Sequence, residues 1–575
     1  MEEQQPNYTQ QPYSEQPYSA QPQYGTPPPY GTQAIYQTPY VKPQRTPYSF
    51  TGVDAAFACF ALALGFLVYE WRTGSSLGTF LLIMVALIGT LLYLNARGFK
   101  QNLRSIMAFA ACILGALPLL LYDKISINAL LFLFTICACF YWILVTTGNS
   151  VENRISGYVI MDWINQTFPI PFSNFLGLFV SFKTASKKTK RGKSVLIGVV
   201  GICIAIPLII GVASLLINSD AGFQKFAEDF SELIGMDDIG RYLLQFIGGV
   251  PIACYIFGAV CGNIQKRYTT SITKESTDRN LLAARRIPHA AILAPLAILC
   301  ILYIVYMGVM SVYLFSAFAG DLPEGFTYAE YARNGFFELC GVAAINLFIM
   351  IFTYSFAKRA AGEYPKHMRV LTGLLCIMTE LLVATAVSKM LMYIGAYGLS
   401  QLRVYVLWFL VLLFIVYAIL IVWHIKPYIS RPNGPVSFNA GRPIVILSVC
   451  FVLALFLANT DGLIAKYNIW QYESGKTQTV DTYMLSNMSD AVVPHLAHLQ
   501  EIAKDSDVRE SAGRAIARID YLNNNDFRML PEEKSAFRDW NIQSVLAREA
   551  LQNSGEYTAD DYFNDYMAWD SGTYW

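Results

Sequence analysis

The stretch Asn128–Thr147, NALLFLFTICACFYWILVTT, decides the fold. It runs for twenty residues without a charged side chain, which as a helix is long enough to cross the roughly 30 Å hydrocarbon core of a bilayer. Ten further predominantly apolar runs, some with one or two charged residues, flank it: Val53–Trp71, Leu77–Asn95, Ser105–Tyr122, Ser194–Ile217, Tyr242–Ile264, Ala290–Phe315, Gly335–Phe356, Val370–Ile394, Arg403–Trp423 and Pro443–Asn459. None shows the two-residue alternation of barrel strands. The sequence therefore predicts an all-α, polytopic transmembrane helix bundle of about eleven spans.

The composition supports a chain that lies partly in lipid. Hydrophobic residues make up 54% of the 575 residues and charged residues only 14%, whereas soluble domains carry about 25% charged residues. The part from Thr460 to Trp575 has 19 acidic and 10 basic residues, and the remainder has 22 acidic and 32 basic. The apolar composition makes the lipid bilayer the predicted partner. Nucleic-acid binding is not predicted, because the basic residues fall in short loops between apolar runs.

The first fifty residues form a separate segment. Residues 1–50 hold ten prolines, ten glutamines and eight tyrosines with almost no aliphatic side chain, so they cannot bury enough surface to offset the entropy of ordering. We predict a disordered cytoplasmic segment. It is either a spacer or a docking or self-association segment that uses Tyr and Pro.

Loop charge predicts the orientation in the cell membrane. The loops at 183–193, 266–286, 358–369 and 426–442 are basic, and those at 220–238 and 321–330 are acidic. With eleven spans every basic loop falls on one side, which the positive-inside rule makes cytoplasmic. The N-terminus is then cytoplasmic and the C-terminus extracytoplasmic. Residues 148–182 break the pattern and are expected to be an interfacial amphipathic helix or a re-entrant segment; a crossing at Phe172–Phe182 would instead invert the first four spans.

Charged side chains within spans are costly there and so usually have a role or a partner. Glu380 lies near the middle of its predicted span. It either lines a polar cavity that binds a cation or relays a proton, or it is a protonated or hydrogen-bonded carboxyl between helices. Glu338 and Lys389 fall at similar depth on neighbouring spans, where they could pair.

Histidine and cysteine patterns predict no metal or cofactor. His289, His367 and His424 fall at span ends, where a lipid head-group contact is expected, and His495 and His498 provide two ligands without a third. The eleven cysteines lie inside apolar runs, so neither a zinc site nor a disulfide framework is predicted.

The chain after the last apolar run is predicted to form a small helical domain over residues 460–552, outside the membrane domain of residues 51–459. Ser489–Lys504 and Ser506–Leu522 have the spacing of a helical hairpin. A third helix is expected to start at Pro531 and to bury Phe537, Trp540, Val545 and Leu546. Residues 553–575 carry five acidic and seven aromatic side chains and no basic one. We predict that this tail is disordered; the alternatives are that it lies on the bilayer interface or closes over the domain.

A motif stands at the junction of the two domains. It contains Asn459, Asp461, Ala465, Lys466, Tyr467 and Asn468. Followed by Tyr483–Ser486, Ser489–Pro494 and Asp539–Asn541, and behind a many-span domain, it resembles a bacterial membrane-protein family, domain of unknown function 4173, with the related 4153. Lys466 stands where that family more often has Arg. The resemblance implies a bacterial membrane protein and brings no activity, so no catalytic residue follows from it.

Three classes of function are compatible with these features. The first is an envelope sensor, scaffold or interaction protein whose extracytoplasmic helical domain meets an envelope protein or a ligand. The second is a secondary transporter or channel with Glu380 in a polar intramembrane cavity, although no inverted repeat is apparent. The third is a membrane enzyme acting on a lipid, for which no catalytic constellation is recognisable. We favour the first class and predict no enzymatic activity.

Overall fold

The computed structural model describes residues 47–70, 77–122, 127–186, 236–309, 311, 336–358, 365–425, 428–429, 436–437, 440–524 and 540–554. The membrane part contains the helices α1 Gly52–Glu70, α2 Leu77–Ala96, α3 Leu103–Ala116, α4 Pro118–Leu121, α5 Asn128–Thr147, α6 Val159–Thr167, α7 Pro169–Ser173, α8 Gly177–Ser186, α9 Met236–Ile264, α10 Lys274–Ala284, α11 His289–Val309, α12 Phe336–Phe356, α13 Lys366–Tyr397, α14 Gln401–Ile425 and α15 Gly441–Leu457. A two-residue hairpin, β1 Tyr428–Ile429 and β2 Val436–Ser437, precedes α15.

Nine helices within the described ranges are long and apolar enough to span a membrane, or ten if α15 and the helix after it form one bent span. They confirm the prediction of an all-α polytopic bundle, and the chain is a multi-pass membrane protein. Of the eleven predicted runs, Ser194–Ile217 lies outside the described residues. Pro443–Asn459 corresponds to α15, which is bent by 67° from the helix that follows it.

The first half of the bundle is built around the crossing of α1 and α9. The two backbones touch at a pair of glycines, since a Cβ placed on Gly249 would lie 2.8 Å from the carbonyl group of Gly65. Helix α5 packs along α3, and α7 and α8 pack on α9. Phe57, Tyr93 and Phe257 belong to the core that these helices enclose.

The segment 148–182 contains three short helices, α6 to α8, against the bundle. Their polar side chains point inward: Asp162, Asn165, Gln166 and Asn174 are each at most 3% exposed. Their large apolar side chains point outward, as at Ile160, Phe168, Phe172 and Leu176. This segment is therefore amphipathic with its polar face buried and its apolar face exposed.

The second half of the bundle comprises α11 to α14. Leu296, Met350, Leu375 and Tyr417, one from each helix, belong to its buried core. Helix α13 is 32 residues long and extends past both ends of the predicted run Val370–Ile394. Its C-terminal end turns sharply through Gly398 into α14.

The chain after α15 forms a further set of helices, which we call the C-terminal domain. Its elements are α16 Thr460–Glu473, α17 Thr482–Ser486, a 3₁₀ turn Asp490–Val492, α18 Val493–Ile502, α19 Ser506–Asn524 and α20 Ile542–Ser554. Helices α18 and α19 form the expected hairpin and share a core that includes Leu496, Ile516 and Ile519. The predicted burial of Trp540, Val545 and Leu546 is wrong, since these side chains are 40–53% exposed and Ala547 is buried instead. The predicted helix start at Pro531 and the predicted burial of Phe537 lie outside the described residues.

Contacts between helix ends show which end of the bundle carries this domain. Leu77 N–H donates to Trp540 O (2.8 Å), and the Tyr122 hydroxyl donates to Leu457 O (2.6 Å). At the opposite end, the Ser49 hydroxyl donates to Gln265 Oε1 (2.9 Å). The basic residues at the beginning of α13 and at the end of α9 lie at this opposite end, away from the C-terminal domain.

Candidate functional site

The motif residues lie where the C-terminal domain meets the bundle. Asn459 caps α16, because its Oδ1 accepts from Gly462 N–H (3.0 Å), and such a cap satisfies a helix N–H that would otherwise lack a partner. Asp461 is 6% exposed. One of its oxygens accepts from Gln401 Nε2 (2.8 Å) and the other from Ser489 N–H (3.0 Å). Asp461 thus joins α14 of the bundle to the turn before α18.

Asn468 makes the most specific bond between the two parts. Its Oδ1 accepts from Leu399 N–H (2.7 Å) and its Nδ2 donates to Leu399 O (2.9 Å). Gln471, three residues further along α16, donates through its Nε2 to Gly395 O (3.1 Å). Gly398 has a φ of +73°, and a Cβ there would lie 2.5 Å from Asn468 Oδ1. Only glycine therefore lets the α13–α14 turn come close enough to α16 for this pairing.

The other three motif residues have different surroundings. Ala465 is fully buried in the domain core, and Tyr467 packs on the core of α11–α14. Lys466 is exposed. The motif thus combines packing and hydrogen bonds that hold the domain on the α13–α14 turn, which composition and spacing alone did not predict.

A polar chain crosses the middle of α11, α12 and α13. The Tyr303 hydroxyl donates to Asn346 Oδ1 (2.8 Å), and Asn346 Nδ2 donates to Thr379 Oγ1 (2.9 Å). Glu380 follows Thr379 and is half-buried, with a buried Oε2 that has no hydrogen-bond partner in the described part of the chain. Among the described residues, therefore, a carboxyl oxygen without a hydrogen-bond partner lies one residue from a satisfied polar chain.

Glu338 and Lys389 are not brought together. Glu338 is exposed and Lys389 is half-buried, and no ion pair joins them among those between described residues. Asn346 follows Glu338 by eight residues on α12, which places it about 80° further around the helix. Asn346 is fully buried whereas Glu338 is exposed, so the two polar residues face different surroundings.

His424 differs from the expected head-group contact. It is 9% exposed, and its Nε2 lies 3.0 Å from both Tyr354 Oη and Thr372 Oγ1. Its Nδ1 contacts Leu420 O (2.7 Å), and the backbone carbonyl of His424 accepts from Arg369 Nε (2.8 Å). His424 therefore ties α12, α13 and α14 together. The position at a span end was visible in the sequence, but the hydroxyl partners come from two other helices.

A cleft opens on the C-terminal domain between α17 and α19. It encloses about 590 Å³, part of it open to solvent, and is lined by Thr482, Tyr483, Ser486, Ser511, Arg514, Ala515 and Arg518. The Arg518 guanidinium lies over the Tyr483 ring, 4.6 Å from its centroid. Arg514 lies 3.5 Å from Glu510 on the outer surface. Two arginines and no acidic residue thus line this cleft in the described domain.

The arginines of the cleft were not singled out from the sequence. Arg514 and Arg518 are four residues apart on α19, so their shared face could have been read from the helical period. The contribution of α17, which supplies Tyr483 and two hydroxyl groups, could not.

Histidines of the domain lie near the motif. Burial lowers the pKa of His495, and the positive charges of Lys466 and His498 lower it further. His498 Nε2 lies 2.8 Å from Glu473 Oε1. Within the described residues no group of three or more His, Cys, Asp or Glu side chains is arranged to hold a metal ion.

Comparisons with known proteins identify a family that this chain matches. A family model described as Domain of unknown function (DUF4153) matches residues 109–499. No curated protein matches the chain, and no solved structure matches it. The matched range begins within α3 and ends within α18, so it includes the motif junction and leaves out α19.

Proposed function

Since the chain belongs to the DUF4153 family, whose description assigns no activity, we propose its function from the geometry: it is an envelope sensor or interaction protein. Its C-terminal domain binds a ligand or partner, and the motif transmits the bound state to the membrane helices. The observation that carries this proposal is the Asn468–Leu399 pairing. We propose further that the chain is related to domain of unknown function 4173. We also propose that it divides into an N-terminal segment (1–50), a membrane domain (51–459), a helical domain (460–552) and a tail (553–575).

Orientation is part of the same proposal. The basic ends of α9 and α13 lie opposite the C-terminal domain, and basic residues favour the cytoplasmic side. The domain is then extracytoplasmic and the N-terminal segment cytoplasmic. A ligand outside the cell would meet the domain first.

The cleft between α17 and α19 supplies the ligand site. Arginine guanidinium groups bind carboxylates and phosphates in a fork-like geometry, and the Tyr483 ring holds the Arg518 guanidinium in position. The ligand class is therefore a small acid with a phosphate or carboxylate group. Helix α17, which lines this cleft, follows α16 after a short connection. Helix α16 carries Asn468.

The test uses the full chain in lipid nanodiscs and hydrogen exchange followed by mass spectrometry. Inorganic phosphate and succinate are titrated separately, with chloride at matched ionic strength as the reference. We expect saturable protection of residues 482–486 and 506–519 with at least one probe, and a change of exchange at residues 395–404. An Arg514→Gln/Arg518→Gln double variant is expected to weaken binding about tenfold or more.

Arg548→Gln provides the matched control, because Arg548 is exposed on α20 of the same domain and does not line the cleft. It should bind like the unchanged chain. Absence of saturable protection with both probes, or equal loss in the control, would contradict the cleft as ligand site. Protection confined to the cleft, without any change at residues 395–404, would contradict transmission.

A second function, transport or a channel, is favoured by one observation: the partnerless Oε2 of Glu380 among the described residues. If Glu380 carries a proton or a cation, Glu380→Gln should abolish ion- or proton-dependent flux in proteoliposomes. Thr385→Val on the same helix is the control, because within the described residues its hydroxyl bonds only to Leu381 O. Flux that is absent from the unchanged chain, or equal in Glu380→Gln, eliminates this alternative.

A further inference from the structure

Helix α16 is held at the end of the bundle with one edge exposed. It begins directly after α15 and is bent by 67° from it. Its inner face is bonded to the α13–α14 turn through Asn468 and Gln471, and Ala465 and Ile469 pack into the C-terminal domain. The direction of the remaining edge is therefore fixed by contacts on two sides.

The exposed edge consists of Leu463, Lys466 and Trp470. These positions recur at three and four residues and so share one face of the helix. Leu463 is 55% and Trp470 is 44% exposed, and Lys466 is exposed as well. Lys476, just after the helix, places its Nζ 4.3 Å from the centroid of the Trp470 ring. One edge thus carries two large apolar side chains and two ammonium groups.

The edge is adjacent to the membrane part rather than remote from it. Tyr467, which neighbours Trp470 and Leu463 on the helix surface, packs on the apolar core of α11–α14. A helix that leaves an apolar helix at a steep angle, as α16 leaves α15, is placed near the level of the lipid head groups. Tryptophan is enriched at this level, and lysines there reach the phosphates.

We propose that this edge binds the head groups of anionic phospholipids. In this arrangement Leu463 and Trp470 enter the interfacial layer, and Lys466 and Lys476 contact lipid phosphates. The contact holds α16, and with it the C-terminal domain, against the bilayer beside the bundle. The proposal is independent of the cleft and of which side of the membrane carries the domain.

The test measures quenching of Trp470 by brominated lipids in nanodiscs that contain the full chain. The Trp470 signal is the difference between the unchanged chain and Trp470→Phe, since the other tryptophans remain in both. Bromine is placed either on the phosphatidylglycerol or on an equal mole fraction of the phosphatidylcholine. We expect stronger quenching when phosphatidylglycerol carries the bromine.

A Lys466→Gln/Lys476→Gln double variant should lower this preference for phosphatidylglycerol by roughly tenfold to thirtyfold. The control, Lys504→Gln, removes an exposed lysine of the same domain and should leave the preference unchanged. Free inorganic phosphate, added as a competitor, should not reverse the quenching. The proposal is overturned if Trp470 is not quenched in any disc or if both lipids quench it equally. It is also overturned if the double variant keeps the preference for phosphatidylglycerol or if the control loses this preference equally. Displacement of the lipid by free phosphate would overturn it as well.

Discussion

Asn468 shows how a single side chain joins two parts of the chain. An amide can donate and accept at once, and Asn468 uses both capacities on the N–H and the carbonyl of Leu399. Neither aspartate nor leucine can do this. The geometry thus gives a physical reason for an asparagine at this position of the motif.

Replacing Asn468 by Leu is expected to loosen the junction. The change removes two hydrogen bonds and leaves the Leu399 amide without its partner, which costs about 2–4 kcal/mol. Exchange of the amides in residues 395–404 should then accelerate by roughly thirtyfold or more. Asn487→Leu is the matched control, because among the described residues the Asn487 side chain bonds only to Tyr483 O, a carbonyl within its own domain. Equal acceleration in both variants would show that the junction does not depend on Asn468.

His495 is expected to make the domain less stable in mild acid. Its pKa is lowered by burial and by the nearby charges of Lys466 and His498, so the folded domain binds a proton less readily than the unfolded chain, in which the pKa is about 6.5. Its contribution to stability is present above that pH and is lost as the pH falls below it. We expect the melting temperature of the domain to decrease below about pH 6.5.

The variant His495→Gln should show a flatter pH profile of melting between about pH 5 and pH 7. His367→Gln, which changes an exposed histidine at the beginning of α13, should keep the slope of the unchanged chain. A slope unaffected by His495→Gln would assign the acid sensitivity to other groups.

At the scale of elements, close packing of α1 and α9 depends on glycine. Because a Cβ on Gly249 would approach the Gly65 carbonyl group to 2.8 Å, Gly249→Ala forces the two helices apart. Overpacking of this kind costs about 1–3 kcal/mol. We expect a lower melting temperature in nanodiscs for Gly249→Ala. Gly308→Ala is the control, since nothing lies within 4 Å of its added Cβ, and it should be neutral or slightly stabilising; equal destabilisation would contradict the close crossing.

Gly258 and Gly262 are four residues apart on α9, a spacing that often lets a second long helix approach closely. Here the segment that approaches is a short helix. A Cβ on Gly258 would lie 2.6 Å from Pro171 O, and one on Gly262 would lie 2.5 Å from Asn174 Nδ2. The small residues of α9 therefore admit α7 and the turn after it. Spacing alone indicates that something approaches closely, but it does not say what.

Apolar runs predicted the helices well because hydropathy is a local property of the chain, so α2, α5 and α14 match their predicted ranges within a few residues. The breaks were harder to predict. The short helices α6 to α8 depend on polar contacts with residues far away, for example Asn165 Nδ2 with Thr269 O (3.1 Å). After the bend that follows α15, Asp461 and Asn468 bond to partners far away in the sequence, namely Gln401, Ser489 and Leu399. The arginine cleft likewise needs two helices that are not neighbours in sequence.

At the scale of the whole molecule, contacts between helix ends determine the path of the chain. Asn149 donates to Asn263 O (2.9 Å) at one end of the bundle, whereas Gln245 donates to Phe66 O (3.0 Å) at the other. The chain therefore changes ends between Asn149 and Gln245. The predicted span Ser194–Ile217 lies in this interval, outside the described residues, and the eleven-span topology requires one crossing there.

The side of the membrane on which the C-terminal domain lies tests the account most directly. A reporter active only outside the cytoplasm is fused after Trp575, with parallel fusions in the loops 183–193 and 218–238. The account predicts activity for the C-terminal and 218–238 fusions and none for the 183–193 fusion. An inactive C-terminal fusion in a chain that is present in the membrane would place the arginine cleft in the cytoplasm and contradict an envelope sensor.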